Sequence, residues 1–381
     1  MKLRIIIQPL LSTVLALCVI APSVQCQSSQ GVSLERSNAR PFNLLVLGDS
    51  IMWGQGLKPE NKAWYQMKIW LEQRTGRTVN ERIEAHSGAV IENEAIEKNR
   101  IPVDGEVNVA QPTIVNQLEQ ARQYFVNGPE LDLVIVSGCV NDVDAKNVLN
   151  AANTSEEIRL LTEAKCSQPM ERLLRRITAS FPAAYVIVTG YYPFISDQTR
   201  NDIFMRGLTK RFYKALPGAA KLSQAVIFQR MVDNSAQWYR SSNKSLAQAV
   251  KNANAEPRDR QSPERIRFAE IHLLPEHSFR ARKTQLWNFE SSPIRKLLVL
   301  LSFGKILLRT DDETRKQRNA SCKEFWKAIP AESATDKKER KNQELLCRYA
   351  ALGHPNRQGA IVYAETISGQ LKTIFPVLSS K

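Results

Sequence analysis

Four residues, spread from position 50 to position 354, have the types that acyl transfer requires. Ser50 ends the stretch "NLLVLGDS", a run of apolar residues that stops on Gly-Asp-Ser. A serine hydroxyl is a weak nucleophile until a base takes its proton. His354, in "GHPNRQGA", offers an imidazole that is neutral near pH 7 and suited to that task. The negative oxygen that forms on an attacked carbonyl needs fixed donors. The backbone N–H groups of Ser50 and Gly88 (in "AHSGAV") and the side-chain amide of Asn141 (in "SGCVNDV") are candidates. Glycine suits position 88, because a backbone that approaches a ligand closely has no room for a Cβ. Gly54 and Gly56 allow tight loop packing by the same argument. Read singly, each residue has a plainer explanation: Ser50 in a turn, Asn141 in an Asx turn, His354 as a structural histidine. Asp49 reads as a turn former. His86, His272 and His277 have no supporting pattern and read as structural or exposed, although His277 could border a substrate channel.

The elements that must bring these residues together are legible from periodicity. Short apolar runs bounded by turn residues predict strands at 43–48, 78–88, 131–138, 184–193 and 265–273. Helical spacing predicts helices over 64–76, 113–127 with Thr113 as cap, 156–181, 201–214, 219–254 and 358–375. Strands without alternation, separated by helices, imply a parallel sheet covered on both faces. Such sheets bind ligands beyond the carboxyl ends of their strands. Ser50, Gly88 and Asn141 each follow a predicted strand, so three loops are expected at one sheet edge. Tyr191 and Tyr192 follow the fourth strand and are expected at the same edge.

The four blocks, in this order, resemble the GDSL, or SGNH, hydrolases. "GDSIMWGQG" is similar to their first block, with Ser50 at the nucleophile, and Gly88, Asn141 and His354 fall in the later ones. The resemblance runs from about residue 43 to 370 and is loose over 195–345. It implies a three-layer α/β/α flavodoxin-like sandwich with five parallel strands in the order 2-1-3-4-5 and a helical insertion, 289–345, before the histidine block. It also implies a serine ester hydrolase acting through an acyl-enzyme, with no cofactor and no metal. Two departures stand out. The third block usually reads Gly-x-Asn-Asp, whereas Gly138 and Asn141 are separated by two residues. The position three before the histidine, usually aspartate, holds Ala351. A serine–histidine dyad oriented by a backbone carbonyl, or an acid from elsewhere such as Asp142 or Glu344, would answer that absence. A catalytically inactive binding protein on the same scaffold, or an acyltransferase, are the alternatives.

Composition sets the remaining bounds. At 381 residues and 43% hydrophobic, the chain can bury a large core. Lys2, Arg4, a short apolar run and small residues at Ala21–Ser23 form a secretory signal pattern over residues 1–26, leaving 27–381 as the hydrolase domain. The run is too short and too interrupted to span a bilayer, so no transmembrane span is expected in the mature chain. In an oxidising compartment Cys139, Cys166, Cys322 and Cys347 are expected as disulfides. Three pairings are open, and the sequence neighbours Cys139–Cys166 and Cys322–Cys347 are preferred over free thiols. Asn153, Asn243 and Asn319 lie in glycosylation sequons. The net charge is +15, and residues 201–350 hold 30 Lys/Arg against 16 Asp/Glu. That segment reads first as a solvated basic face and second as a contact for an anionic surface or polymer. No nucleic-acid motif accompanies it. The apolar run 296–308 suits a core helix, a lid over the site or a helix on a lipid surface. The expected substrate is therefore an acyl ester: lipid, acetylated polysaccharide or small ester.

Overall fold

The computed structural model describes residues 40–97, 103–126, 130–202, 205–206, 222–255, 264–290 and 309–375. The signal pattern with Cys18 and Cys26, most of the helix expected over 201–214 and the apolar run 296–308 lie outside the described residues. Five strands form one sheet: β1 (Phe42–Leu47), β2 (Val79–Ile83), β3 (Leu133–Val136), β4 (Tyr185–Thr189) and β5 (Ile266–Ala269). They lie in the order β2-β1-β3-β4-β5 and every pairing is parallel. Leu45 of β1 faces Arg82 on one side and Val134 on the other. All six residues of β1 and all four of β3 are buried, which is why these segments are apolar without alternation.

The helices include α1 (Ser50–Trp53), α2 (Ala63–Thr75), α3 (Ile114–Phe125), α4 (Val140–Val143), α5 (Ser155–Ser180), α6 (Gln224–Asn254), α7 (Arg315–Ala328), α8 (Ala334–Arg348) and α9 (Arg357–Ile374). Helix α9 packs on α2, β4 and β5, whereas α5 packs on α6, and α6 on β5. Helices around an all-parallel sheet give the expected three-layer sandwich. Several starts are set by local hydrogen bonds. Thr113 caps α3 by accepting from Asn116 N, and Thr154 with Glu157 forms a capping box on α5. Disulfides join Cys139 to Cys166 and Cys322 to Cys347, the second tying α7 to α8 just past the end of the 289–345 segment.

The predicted strands run past the observed ones at their carboxyl ends. β2 ends at Ile83, β4 at Thr189 and β5 at Ala269. The chain beyond them stays buried, with Ala85, Tyr191, Tyr192 and Ile271 in the core. Burial keeps these loops as apolar as a strand, so composition does not mark where pairing stops. One sequon is also overturned as a glycan acceptor: Asn243 is buried and its amide bonds both the N–H and the carbonyl of Tyr191.

Candidate active site

The turn that carries Ser50 is built by its neighbours. Gly48 has φ +135°, and a Cβ there would lie 2.4 Å from Ser137 Oγ and 2.8 Å from the Ser137 carbonyl, so only glycine fits. Gln117 Oε1 accepts from Gly48 N at 2.7 Å, and Gln117 Nε2 donates back to the Gly48 carbonyl at 2.9 Å. Asp49 caps α1: its Oδ1 accepts from Ile51 N at 2.9 Å and from Ser137 Oγ at 2.8 Å, while Oδ2 accepts from the Tyr191 hydroxyl at 2.5 Å. Burial pushes the Asp49 carboxyl above its ordinary pKa, against these hydrogen bonds. Asp49 is thus a cap, as expected of a turn former. Tyr191 lies under the site in the core.

The structure brings Ser50 and His354 into direct contact, His354 Nε2 lying 2.7 Å from Ser50 Oγ. The histidine sits in a tight turn between α8 and α9 whose backbone is pinned on several sides. Trp287 N donates to the His354 carbonyl at 2.7 Å, Gly353 N donates to the Trp287 carbonyl at 3.0 Å, and the Tyr192 hydroxyl donates to the Gly353 carbonyl at 2.9 Å. For Nε2 to accept the serine proton, Nδ1 must carry the ring proton. Nδ1 makes no hydrogen bond among the described residues. The carbonyls of Leu352, Ala351 and Ala350 favour the protonated ring, but none meets it with hydrogen-bond geometry. Burial first, and the Arg318 charge second, push the imidazole down to about 4. Neither alternative acid reaches it. Asp142 accepts from Ile91 N at 3.1 and 3.2 Å, and burial pushes it up to about 7. Glu344 pairs with Arg348 one turn along α8.

Gly88 and Asn141 meet through a shared neighbour. Asn141 Nδ2 donates to the Ala89 carbonyl at 2.9 Å, which leaves the second hydrogen of that amide available. Gly88 has φ +84°, and a Cβ there would lie 2.5 Å from Asn108 Oδ1 and Val109 N. The turn around it is tied to the serine loop, with His86 N donating to the Gly48 carbonyl at 3.0 Å. The Asn141 loop is tied there as well, because Val140 N donates at 3.4 Å to the same Tyr191 hydroxyl that holds Asp49. His86 is buried with Nδ1 on the Ser87 carbonyl, and His272 is exposed. A groove of about 310 Å³ lies elsewhere, between α6 and the loops after β4 and β5; Ile195, Val232 and Leu273 line it and none of the four candidates does.

Sequence reasoning missed a buried charge cluster behind the site. Arg318 is fully buried and grips Asp312 through two bonds of 2.7 Å. It also bonds Glu106 at 3.4 Å and, through Nε, the Arg348 carbonyl at 3.3 Å. Glu106 accepts from Gln55 Nε2 at 3.0 Å, Trp53 Nε1 at 3.1 Å and Thr314 Oγ1 at 3.0 Å. Lys62 lies 3.6 Å over the Trp53 ring, and burial pushes its ammonium down to about 8 against the pull of Glu106 and Asp104. The cluster fastens the chain after Ser50 to α7 and to the end of α8, from which the histidine turn departs. A Cβ on Gly56 would touch Trp287, Ala351 and Asp312 within 3.0 Å, so the two active-site turns and the inserted segment converge there. Removing one partner of such a pair leaves a buried charge and costs about 3–5 kcal/mol. Asp312→Ala is therefore expected to lower the unfolding free energy by about 3–5 kcal/mol, read in urea as a lower midpoint at an unchanged slope; a loss under about 1 kcal/mol contradicts this.

The sheet order, with a serine after β1 facing a histidine before the last helix, is that of the SGNH hydrolase fold. The chain belongs to the GDSL-like lipase/acylhydrolase family, whose model matches residues 46–259. Ser50, Gly88 and Asn141 lie inside that match and His354 outside it. No curated protein matches the chain. Among solved structures, the extracellular lipase of Streptomyces rimosus is similar at 15% identity, covering 64% of this chain and 87% of that one, with a TM-score of 0.40. Phospholipase A1 of Streptomyces albidoflavus NA297 is similar at 14%, covering 66% and 89%, with a TM-score of 0.39. Est24, a carbohydrate acetylesterase of Sinorhizobium meliloti, is similar at 13%, covering 88% and 100%, with a TM-score of 0.36.

Proposed function

We propose that the chain is a secreted serine ester hydrolase working through a Ser50–His354 dyad. The observation that carries this reading is the 2.7 Å contact between Nε2 and Oγ. Ser50 attacks the ester carbonyl while His354 takes the hydroxyl proton. The imidazolium then protonates the leaving alcohol, and an acyl-enzyme remains on Ser50. Water, deprotonated by the same imidazole, releases the acid. The oxyanion is held by the N–H groups of Ser50 and Gly88 and by the free amide hydrogen of Asn141. Among the described residues no carboxylate supports the imidazolium, so ring orientation depends on the pinned backbone of 353–354 and the surrounding walls. Secretion is supported by the signal pattern of residues 1–26 and by the two disulfides.

The acyl donor is a lipid, an acetylated polysaccharide or a small ester, and the basic 201–350 segment favours an anionic surface or polymer. An ester panel of graded chain length, with acetylated glycans included, tests the reading on wild type beside the serine variant. Turnover of one class by wild type alone supports it; turnover by both proteins overturns it. The bare Nδ1 favours a second reading, an inactive binding protein on the same scaffold, and no turnover of any ester by folded protein would select it. Addition of competing alcohols separates hydrolysis from acyl transfer by the products formed.

Asn141→Ala is expected to lower kcat about 10²- to 10³-fold with KM nearly unchanged, since the amide serves an oxygen whose charge exists only in the transition state. Steady-state kinetics on the best ester reads this directly. A change under threefold would remove Asn141 from the oxyanion site.

A further inference from the structure

Cys139 occupies a backbone conformation that belongs to glycine. Its φ is +118° with ψ −19°, one of three non-glycine residues with positive φ among the described residues. Counting back from Asn141, it is also the residue at the glycine position of Gly-x-Asn-Asp. Gly138, which composition suggests for that place, instead gives room to Ile114, whose Cδ1 would lie 2.7 Å from an added Cβ. Cys139 caps α4 without a side-chain bond, and its carbonyl accepts from Asp142 N and Val143 N, both at 3.1 Å. It therefore sets the direction of the helical turn that carries Asn141. Its sulfur is bonded to Cys166, fully buried in α5, a 26-residue helix packed along α6.

We infer that the Cys139–Cys166 disulfide is a positioning device for Asn141: it anchors a strained, glycine-like residue to a rigid helix and so fixes where the Asn141 amide points. The inference rests on the oxyanion role given to Asn141 above. A cysteine freed of its partner relaxes toward negative φ, and α4 turns with it. A glycine at the same place has no such tendency. Loss of the cross-link and loss of the conformation can therefore be separated.

The experiment compares wild type, Cys166→Ala and the double variant Cys139→Gly/Cys166→Ala. Both variants lack the bond, so both forfeit its general stabilisation. Cys166→Ala is expected to lose at least tenfold in kcat with KM within twofold, and the double variant to recover to within threefold of wild type. In an Asn141→Ala background, Cys166→Ala is expected to cost less than threefold. Hydrogen exchange of the peptide covering 137–144 gives a second readout that needs no turnover: faster in Cys166→Ala, restored in the double variant. Equal losses in both variants, no loss in Cys166→Ala, or an undiminished loss without Asn141 would overturn the inference. If wild type hydrolyses no ester, the hydrolase reading fails on its own. The exchange pattern then decides the positioning claim, which falls if exchange at 137–144 is the same in all three proteins. Should Cys166→Ala not fold while the double variant does, the strain argument is upheld; failure of both refutes it.

Discussion

Ser50→Ala reduces kcat/KM for ester hydrolysis by about 10⁴- to 10⁶-fold, the range seen when the nucleophile of a serine hydrolase is removed. The expectation follows from the site's economy of groups. Among the described residues Ser50 Oγ has one side-chain partner, Nε2 of His354, and the proposed chemistry offers no second hydroxyl. Residual turnover would come from the oxyanion donors alone. The fold should be indifferent to the change. The bonds that shape the turn join Gly48 to the Gln117 amide, and the Asp49 carboxylate to Ile51 N and the Ser137 hydroxyl, none of them through the Ser50 hydroxyl, and alanine adds no volume. Thermal unfolding of the variant is therefore expected to match wild type. A variant that is both inactive and destabilised would mean that the hydroxyl serves structure.

His354→Ala is expected to fall into the same range, and wild type should show an unusual pH profile. The base must be neutral to act. Burial and Arg318 hold the imidazole at about 4 rather than near 6.5. Activity should accordingly rise with pH through about 4 and be level from about 5 to 8. An inflection near 6.5 in kcat/KM would refute the electrostatic picture. The same shift has a sign for stability. Between pH 6.5 and 4 the unfolded chain takes up a proton on this residue while the folded one does not, so its contribution is complete above 6.5 and is lost as the pH falls to 4. Asp142 works the other way: its folded carboxyl titrates at about 7, so folding is favoured at low pH and that gain is lost as pH rises from 3.8 to 7. The two oppose each other across the same window, and removing His354 should expose the Asp142 trend in acid unfolding curves.

Much of this arrangement was legible in the sequence because strand and site share one signature. β1 and β3 are apolar on both faces, which marks a covered parallel sheet, and the residues after such strands line its carboxyl edge. Strand position could place Ser50, Gly88 and Asn141 at that edge, whereas their roles, and the choice of His354, came from the resemblance to the four blocks. The preferred disulfide pairs are those found. What could not be read has a common cause. Arg318, Asp312 and Glu106 are buried together, yet a charged residue carries no mark of burial until its partner is known, and these lie up to 212 positions apart. The overlong β2, β4 and β5 arose because buried loops look like strands. That Cys139 holds the glycine-like conformation in the third block is not legible either, because a sequence displays residue type and not φ.

The most direct test of the Ser50–His354 site is labelling of folded protein with a fluorophosphonate, followed by mass spectrometry of the modified peptide. The site described here predicts a single adduct on Ser50, absent in Ser50→Ala and strongly slowed in His354→Ala. An adduct on any other residue, or equal labelling with and without the imidazole, would contradict it.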